Sequence, residues 1–306
     1  MPLRDFGLLS LVCMVWGLNV IVTRWVFLNS DIEPIFYAAL RFMLIALVLT
    51  PVFFRRVPNQ LGRLFFIALC MGSAHFALLF IGLSMASGSA AAVVGQMMVP
   101  FTTILSIVFL NEKVRWRRGL GITLAFLGVL IISIDPTNFS MEFGLLFVVG
   151  SAFVGAVGAI MMKQINPLPA IHVQAWVGLM SFAPLLLLSG LVYGFDAGVA
   201  GQFVIFANSD WLIWVATAFA VLGVSIFGHG SFYWLITRHE MTLLSPLTLM
   251  TPIWGVVFGV IILNESINAK FLVGVVFSLL GVLIIALRPN SKLPLAAQVR
   301  KLMSGT

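Results

Sequence analysis

Charge is scarce in this chain: Asp, Glu, Lys and Arg together make up 9% of its 306 residues, where a soluble domain carries about 25%. That is too little polar surface to cover a water-soluble particle. With 61% hydrophobic residues and a mean hydropathy of +1.13, the chain needs lipid as the solvent for most of its length. Cysteine is nearly absent, and the two present, Cys13 and Cys70, lie inside apolar stretches, which excludes a disulfide framework. No phosphate loop, His/Cys metal spacing, His-Glu-x-x-His helix or Gly-x-Ser-x-Gly elbow occurs, so no cofactor and no catalytic centre is expected. Only 10 residues are acidic, and none falls deep in an apolar run.

What is present is a series of apolar segments. A helix needs roughly 20 mostly apolar residues to cross the hydrocarbon core. Ten candidate spans are Phe6–Leu28, Pro34–Phe54, Gly62–Leu83, Ser89–Leu110, Gly119–Ile134, Glu142–Met162, Ala170–Val192, Trp211–Ile236, Met241–Leu263 and Lys270–Leu287. The first is too long for a signal peptide and lacks a small-residue cleavage site, so it reads as a retained helix. The net charge of +7 does not mark a nucleic-acid partner, because the basic residues are scattered between apolar runs. With the N-terminus in the cytoplasm, every one of the 17 Lys and Arg residues falls on the cytoplasmic side except Arg24, Arg41 and Lys270. The positive-inside rule therefore places both termini in the cytoplasm, in a multi-pass protein of the inner membrane.

Self-comparison reveals a repeat. Leu110-Asn111-Glu112 recurs as Leu263-Asn264-Glu265, and Leu127-Gly128-Val129-Leu130-Ile131-Ile132 recurs as Leu280-Gly281-Val282-Leu283-Ile284-Ile285. Gly121 and Gly274, Pro136 and Pro289, and Pro100 and Pro252 pair at nearly the same offset. The division is residues 1–138, a second copy at 139–288, and a tail at 289–306 whose Leu295–Met303 stretch reads as a basic interfacial helix. Five spans is an odd number, so the second copy enters the membrane from the opposite side. The expected fold is all-α: ten transmembrane helices as two inverted five-helix repeats. Such halves exchange conformations around a central site, which is the architecture of a carrier.

Trp16-Gly17-Leu18-Asn19, Arg24, Pro34 and Ala39-Leu40-Arg41-Phe42 resemble the opening helices of the EamA family, in the drug/metabolite transporter superfamily. The stretches Pro100 through Glu112 into Gly121 and Gly128, and Pro252 through Glu265 into Gly274 and Gly281, resemble its repeat endings. The resemblance covers residues 6–288. It implies an inner-membrane carrier that exports amino acids or related metabolites, with an opening similar to the O-acetylserine and cysteine exporters. An importer, or a drug or cation efflux carrier of the same fold, is the alternative within the class. A membrane enzyme or receptor is the alternative outside it. The family often places a Trp in its sixth helix, where this chain reads Gly155-Ala156-Val157-Gly158, implying a smaller pocket wall.

Polar side chains within the spans are few, and each needs a partner or water. Asn19, Arg41, His75 and Gln96 lie about 10 Å in from the non-cytoplasmic face of their own spans. They predict a shared substrate cavity or, alternatively, interhelical hydrogen bonds. Arg41 either grips a substrate carboxylate or snorkels outward toward Asp31 and Glu33, and Arg24 is expected to snorkel. Trp16, one turn before Asn19, stacks on substrate or fills core. His229 is a packing residue or carries a coupling proton. Pro100 and Pro252 are expected to kink the fourth and ninth spans as gates or site walls. Glu112 and Glu265 are expected to form ion pairs with Lys113, Arg115 and Lys270. The partners implied are the lipid bilayer, a small-molecule substrate and that coupling proton, and oligomeric state leaves no signature in the sequence.

Overall fold

A computed structural model describes residues 1–54, 57–110, 116–135, 140–162, 164–165, 168–236, 238–239, 244 and 247–286. Among the described residues the chain is helices joined by turns, apart from a two-residue antiparallel pairing of Ile134–Asp135 with Ser140–Met141. The main helices are α1 (Leu3–Asn29), α2 (Pro34–Val48), α3 (Leu61–Met85), α4 (Gly88–Phe109), α5 (Trp116–Ser133), α6 (Phe143–Met162), α7 (Ala170–Tyr193), α8 (Trp211–Phe232), α9 (Met250–Leu263) and α10 (Ala269–Ala286). Helix is the form a lipid-facing chain must take, because hydrocarbon offers no partner for an unpaired N–H or C=O. Among the described residues α1, α3, α4, α6, α7, α8 and α10 are long and apolar enough to cross a membrane.

Three spans depart from their expected form, each at a proline. The expected Pro34–Phe54 span stops at Val48, and a separate turn, Thr50–Phe53, follows. Pro51 has no N–H for the carbonyl of Leu47, and the Thr50 hydroxyl donates to that carbonyl instead, at 2.7 Å. In α4, Pro100 withholds the bond due to Gln96, and the helix tightens to a 3-10 turn over Gly95–Met97. In the expected Met241–Leu263 span, Leu244 and Leu247 are helical, the chain breaks into a turn at Thr248–Leu249, and the next helix begins at Met250 with Pro252 in its first turn. A proline is tolerated there because first-turn N–H groups have no helical partner. Residues 240–243, 245–246, Glu112 and the tail with its expected interfacial helix lie outside the described residues.

The repeated glycines meet one another. A Cβ on Gly128 would stand 2.6 Å from the Gly274 carbonyl oxygen, and one on Gly281 would stand 2.5 Å from that of Gly121. Side chains at these positions would hold α5 and α10 apart; without them the backbones pack directly. Gly17 of α1 lies against Gly255 of α9 in the same way.

One end of the bundle is drawn together by the second Leu-Asn-Glu corner. Asn264 takes a left-handed conformation, φ 52°, which ends α9 and turns the chain back. Glu265 then reaches α4, where its carboxylate accepts from the backbone N–H of Gly88 at 2.6 Å and of Ser89 at 2.8 Å. In place of the expected ion pair with Lys270 stands an anion on a helix N-terminus, whose first N–H groups need an acceptor; Lys113 and Arg115 lie outside the described residues. Nor does Arg24 snorkel. It donates to the carbonyls of Leu83 and Ser84 at the end of α3, at 2.9 and 2.6 Å. At the opposite end, Asp5 of α1 pairs with His239, which follows α8, at 2.6 Å.

Candidate functional site

Helices α2 and α8 face each other through a polar ladder. Tyr37 and Arg41 share one face of α2 at i,i+4 spacing. Thr217 gives its hydroxyl proton to the Ile213 carbonyl, so Tyr37 donates to Thr217, at 3.2 Å. One level deeper, Arg41 Nη2 donates to Ser225 Oγ at 3.3 Å. Ser225 sits in a π-helical stretch of α8, Phe219–Gly228, where its hydroxyl donates to the Ala220 carbonyl at 3.0 Å. The wider π turn leaves carbonyls without their usual i+4 donor, and such turns gather at functional positions.

A second π turn, Leu69–Ala74, interrupts α3 directly before His75, just as the first ends directly before His229. The two histidines thus each stand directly after a π turn. His75 is held against α6. Ser151 offers Nδ1 both its carbonyl, at 3.0 Å, and its hydroxyl, at 2.8 Å. A single ring nitrogen serves only one, donating to the carbonyl or accepting from the hydroxyl. Gly155 makes the close approach possible, since a Cβ there would be 2.9 Å from Nδ1. This corrects the expected smaller pocket wall: Gly155 and Gly158 are filled by His75 and Met71, and open no space.

Arg41, His75 and His229 line one cavity of about 420 Å³, which runs from mid-bundle to the α6–α7 connection at Ile165, Leu168 and Ala170. Arg41 is 2% exposed. The outward snorkel and the pairing with Asp31 or Glu33 are therefore corrected: the guanidinium turns inward, over the Phe76 ring at 5.1 Å. Its Nε and Nη1 are buried without a partner. Apart from Gln174 and Ser225 the remaining walls are apolar, with Met71, Met98 and Met162 beside Phe42, Ile45 and Val177.

Asn19 and Gln96 are not among the lining residues, so the four expected polar groups do not converge. Asn19 is packed with its Oδ1 buried and unpartnered. Gln96 belongs to the 3-10 turn set by Pro100. Trp16 stands one layer behind the cavity, its ring 5.2 Å from His229 and 5.1 Å from Phe232. Pro100 and Pro252 shape α4 and α9 without lining the cavity. Ser225 and the methionines went unmarked in the sequence, where serine and methionine in apolar runs look like ordinary packing.

A second, polar recess of about 520 Å³ lies at the Glu265 end, lined by Ser87, Glu142, Glu265, Asn268 and Lys270 among others. Partial burial raises the Glu142 carboxyl above the usual carboxylate range; the Glu265 charge raises it further, while Lys270, Arg24 and the Ser87 amide pull it down. A raised value means that this arrangement favours protonated Glu142. The folded arrangement at this end is then most stable in acid and loses stability as the pH rises through the raised value. A Ser266→Cys probe in a cysteine-free background should accordingly label more slowly at pH 5 than at pH 7.5. The rates are taken relative to the same cysteine with Glu142→Gln, which cancels the thiol's own pH dependence. Equal ratios at both pH values would show that Glu142 does not govern this end.

The chain matches the EamA-like transporter family over residues 6–134 and 141–287. It belongs to that family. A protein of Salmonella typhimurium strain LT2 named a probable amino-acid metabolite efflux pump is 31% identical over 295 residues, 93% of this chain and 95% of the relative. The protein of the same name from Escherichia coli K12 is 30% identical over 93% of this chain. An uncharacterised transporter of Archaeoglobus fulgidus is 25% identical over 92% of it. One solved crystal structure overlays on 99% of the chain with a TM-score of 0.58 at 16% identity, a likeness of fold alone. The protein is thus a multi-pass membrane transporter of the EamA-like family.

Proposed function

We propose that this transporter is a secondary carrier that exports amino acids or closely related metabolites across the cytoplasmic membrane by alternating access. The observation that carries the reading is the cavity around Arg41. It is deep in the bundle and reaches the α6–α7 connection, while the opposite end is drawn together by Glu265 on α4. The names of the enterobacterial relatives support an amino-acid metabolite as substrate and efflux as direction.

In this proposal residues 1–138 and 139–288 are two inverted copies, with all ten main helices spanning and both termini cytoplasmic. The packing supports an exchange of the halves. Helices α3 and α6 pack together, as do their repeat counterparts α8 and α1; likewise α1 with α9 and α6 with α4. The pairs α5–α10, α2–α7 and α4–α9 are each their own counterpart. The cavity would then face the cytoplasm, closed to the outside by Glu265.

Counterflow in proteoliposomes tests this, with cysteine, O-acetylserine and the aromatic amino acids offered in turn. Exchange of one labelled compound is expected, and Met98→Trp, which fills the cavity, should abolish it. Undiminished exchange with Met98→Trp would remove the cavity from the transport path. Exchange of drug-like cations alone would replace the metabolite reading with cation efflux. Collapsing the pH gradient in the same vesicles reads out a coupling proton, for which His229 is the cavity-lining candidate.

A further inference from the structure

Resting on the carrier reading above, we propose that the cavity selects net anions. Its substrate would be a monocarboxylate whose nitrogen, where it has one, is acylated or otherwise uncharged, on an apolar or thioether body. A free amino acid would be the poorer ligand.

The charge balance of the cavity leads here. Arg41 supplies a permanent positive charge that it cannot shed. Only Nη2 is engaged, with Ser225; Nε–H and the N–H groups of Nη1 are unpartnered but enclosed, so a carboxylate reaches them only as the surrounding side chains shift. Leaving donors of a buried cation empty is costly, and a carboxylate engages two of them at once through charge-assisted bonds. Phe76 covers one face of the guanidinium, which leaves its edge as the binding surface.

Among the described residues no carboxylate or other counter-charge for an ammonium lines the cavity; the other polar groups there are Gln174, Ser225 and the two histidines. An α-amino acid held by its carboxylate on Arg41 would bring its ammonium within a few ångströms of the guanidinium, in a poorly hydrated space without a counter-charge. Burying a second cation there is unfavourable. Acylating or removing the amine abolishes that cost and leaves the carboxylate grip intact. The remaining wall is apolar and rich in methionine, whose flexible thioether fits variable apolar bodies.

Three methionine derivatives with one side chain separate the charge states: methionine as zwitterion, N-acetylmethionine as anion and methionine methyl ester as cation. Each is offered as competitor and as labelled substrate in counterflow with the intact protein. N-acetylmethionine should exchange at a concentration at least about tenfold lower than methionine, and the ester should be inert. Arg41→Lys should keep this order with weaker exchange, and Arg41→Gln should erase it. If the glutamine variant fails to fold, the wild-type order and the lysine variant still decide.

Methionine or the ester exchanging ahead of N-acetylmethionine would overturn the anion preference and leave the carrier standing. Silence from all three would also overturn it. Silence from the wider amino-acid panel as well would remove the carrier reading with it.

Discussion

Replacing Arg41 with Met should abolish counterflow and at the same time raise the melting temperature of the purified protein. The two effects have one cause. A guanidinium that is 2% exposed, with two of its three nitrogens unpartnered, is an uncompensated charge in an apolar bundle. Replacing a buried charged group with an apolar side chain of similar length is commonly neutral or stabilising by about 1–4 kcal/mol. Losing the charged partner of a bound carboxylate costs about 2–5 kcal/mol, so exchange should fall by about 30-fold or more. A stabilised, folded and inactive variant would identify Arg41 as a residue kept for its ligand at the expense of stability. A drop in melting temperature, with activity lost in proportion, would make it a strut between α2 and α8 through Ser225.

The crossing of α5 and α10 should fail most severely on substitution. A Cβ on Gly128 would lie 2.3 Å from the backbone nitrogen of Ser278, and one on Gly281 would lie 2.4 Å from that of Ala125. Those neighbours are backbone, which has no rotamer to yield, so the helices themselves must separate. Overpacking of this kind costs about 1–3 kcal/mol per site. Gly128→Ala and Gly281→Ala should each lower the melting temperature by several degrees, and the pair should leave little monodisperse protein on size exclusion. The two costs will not simply add, because both act on one crossing. Gly119→Ala is the control: it lies on the same helix with nothing within 4 Å of the added carbon, and should be silent. A harmless double variant would mean that α5 and α10 do not meet face to face.

The sequence by itself determined the solvent and the class. A chain so poor in charge folds in lipid, and lipid permits only backbone that is fully hydrogen-bonded within itself, which is helix here. The matched glycines, Gly121 with Gly274 and Gly128 with Gly281, were legible as a repeat because identity at a fixed spacing is a one-dimensional signal. The same holds for the Leu-Asn-Glu corners and for the family. Arg41, His75 and His229 were legible as candidates because a costly polar group in an apolar run stands out.

Tertiary structure decided what those residues face. Depth along a helix is linear in sequence, but azimuth is altered by every irregular turn, and the π turns before His75 and His229 carry no mark in composition. Asn19 and Gln96 shared the expected depth of Arg41 and yet turn away from the cavity. Gly155 looked like empty wall and is the space that His75 occupies. Glu265 looked like half of an ion pair, and its partner proved to be a pair of backbone N–H groups, which every residue but proline possesses and no sequence pattern singles out.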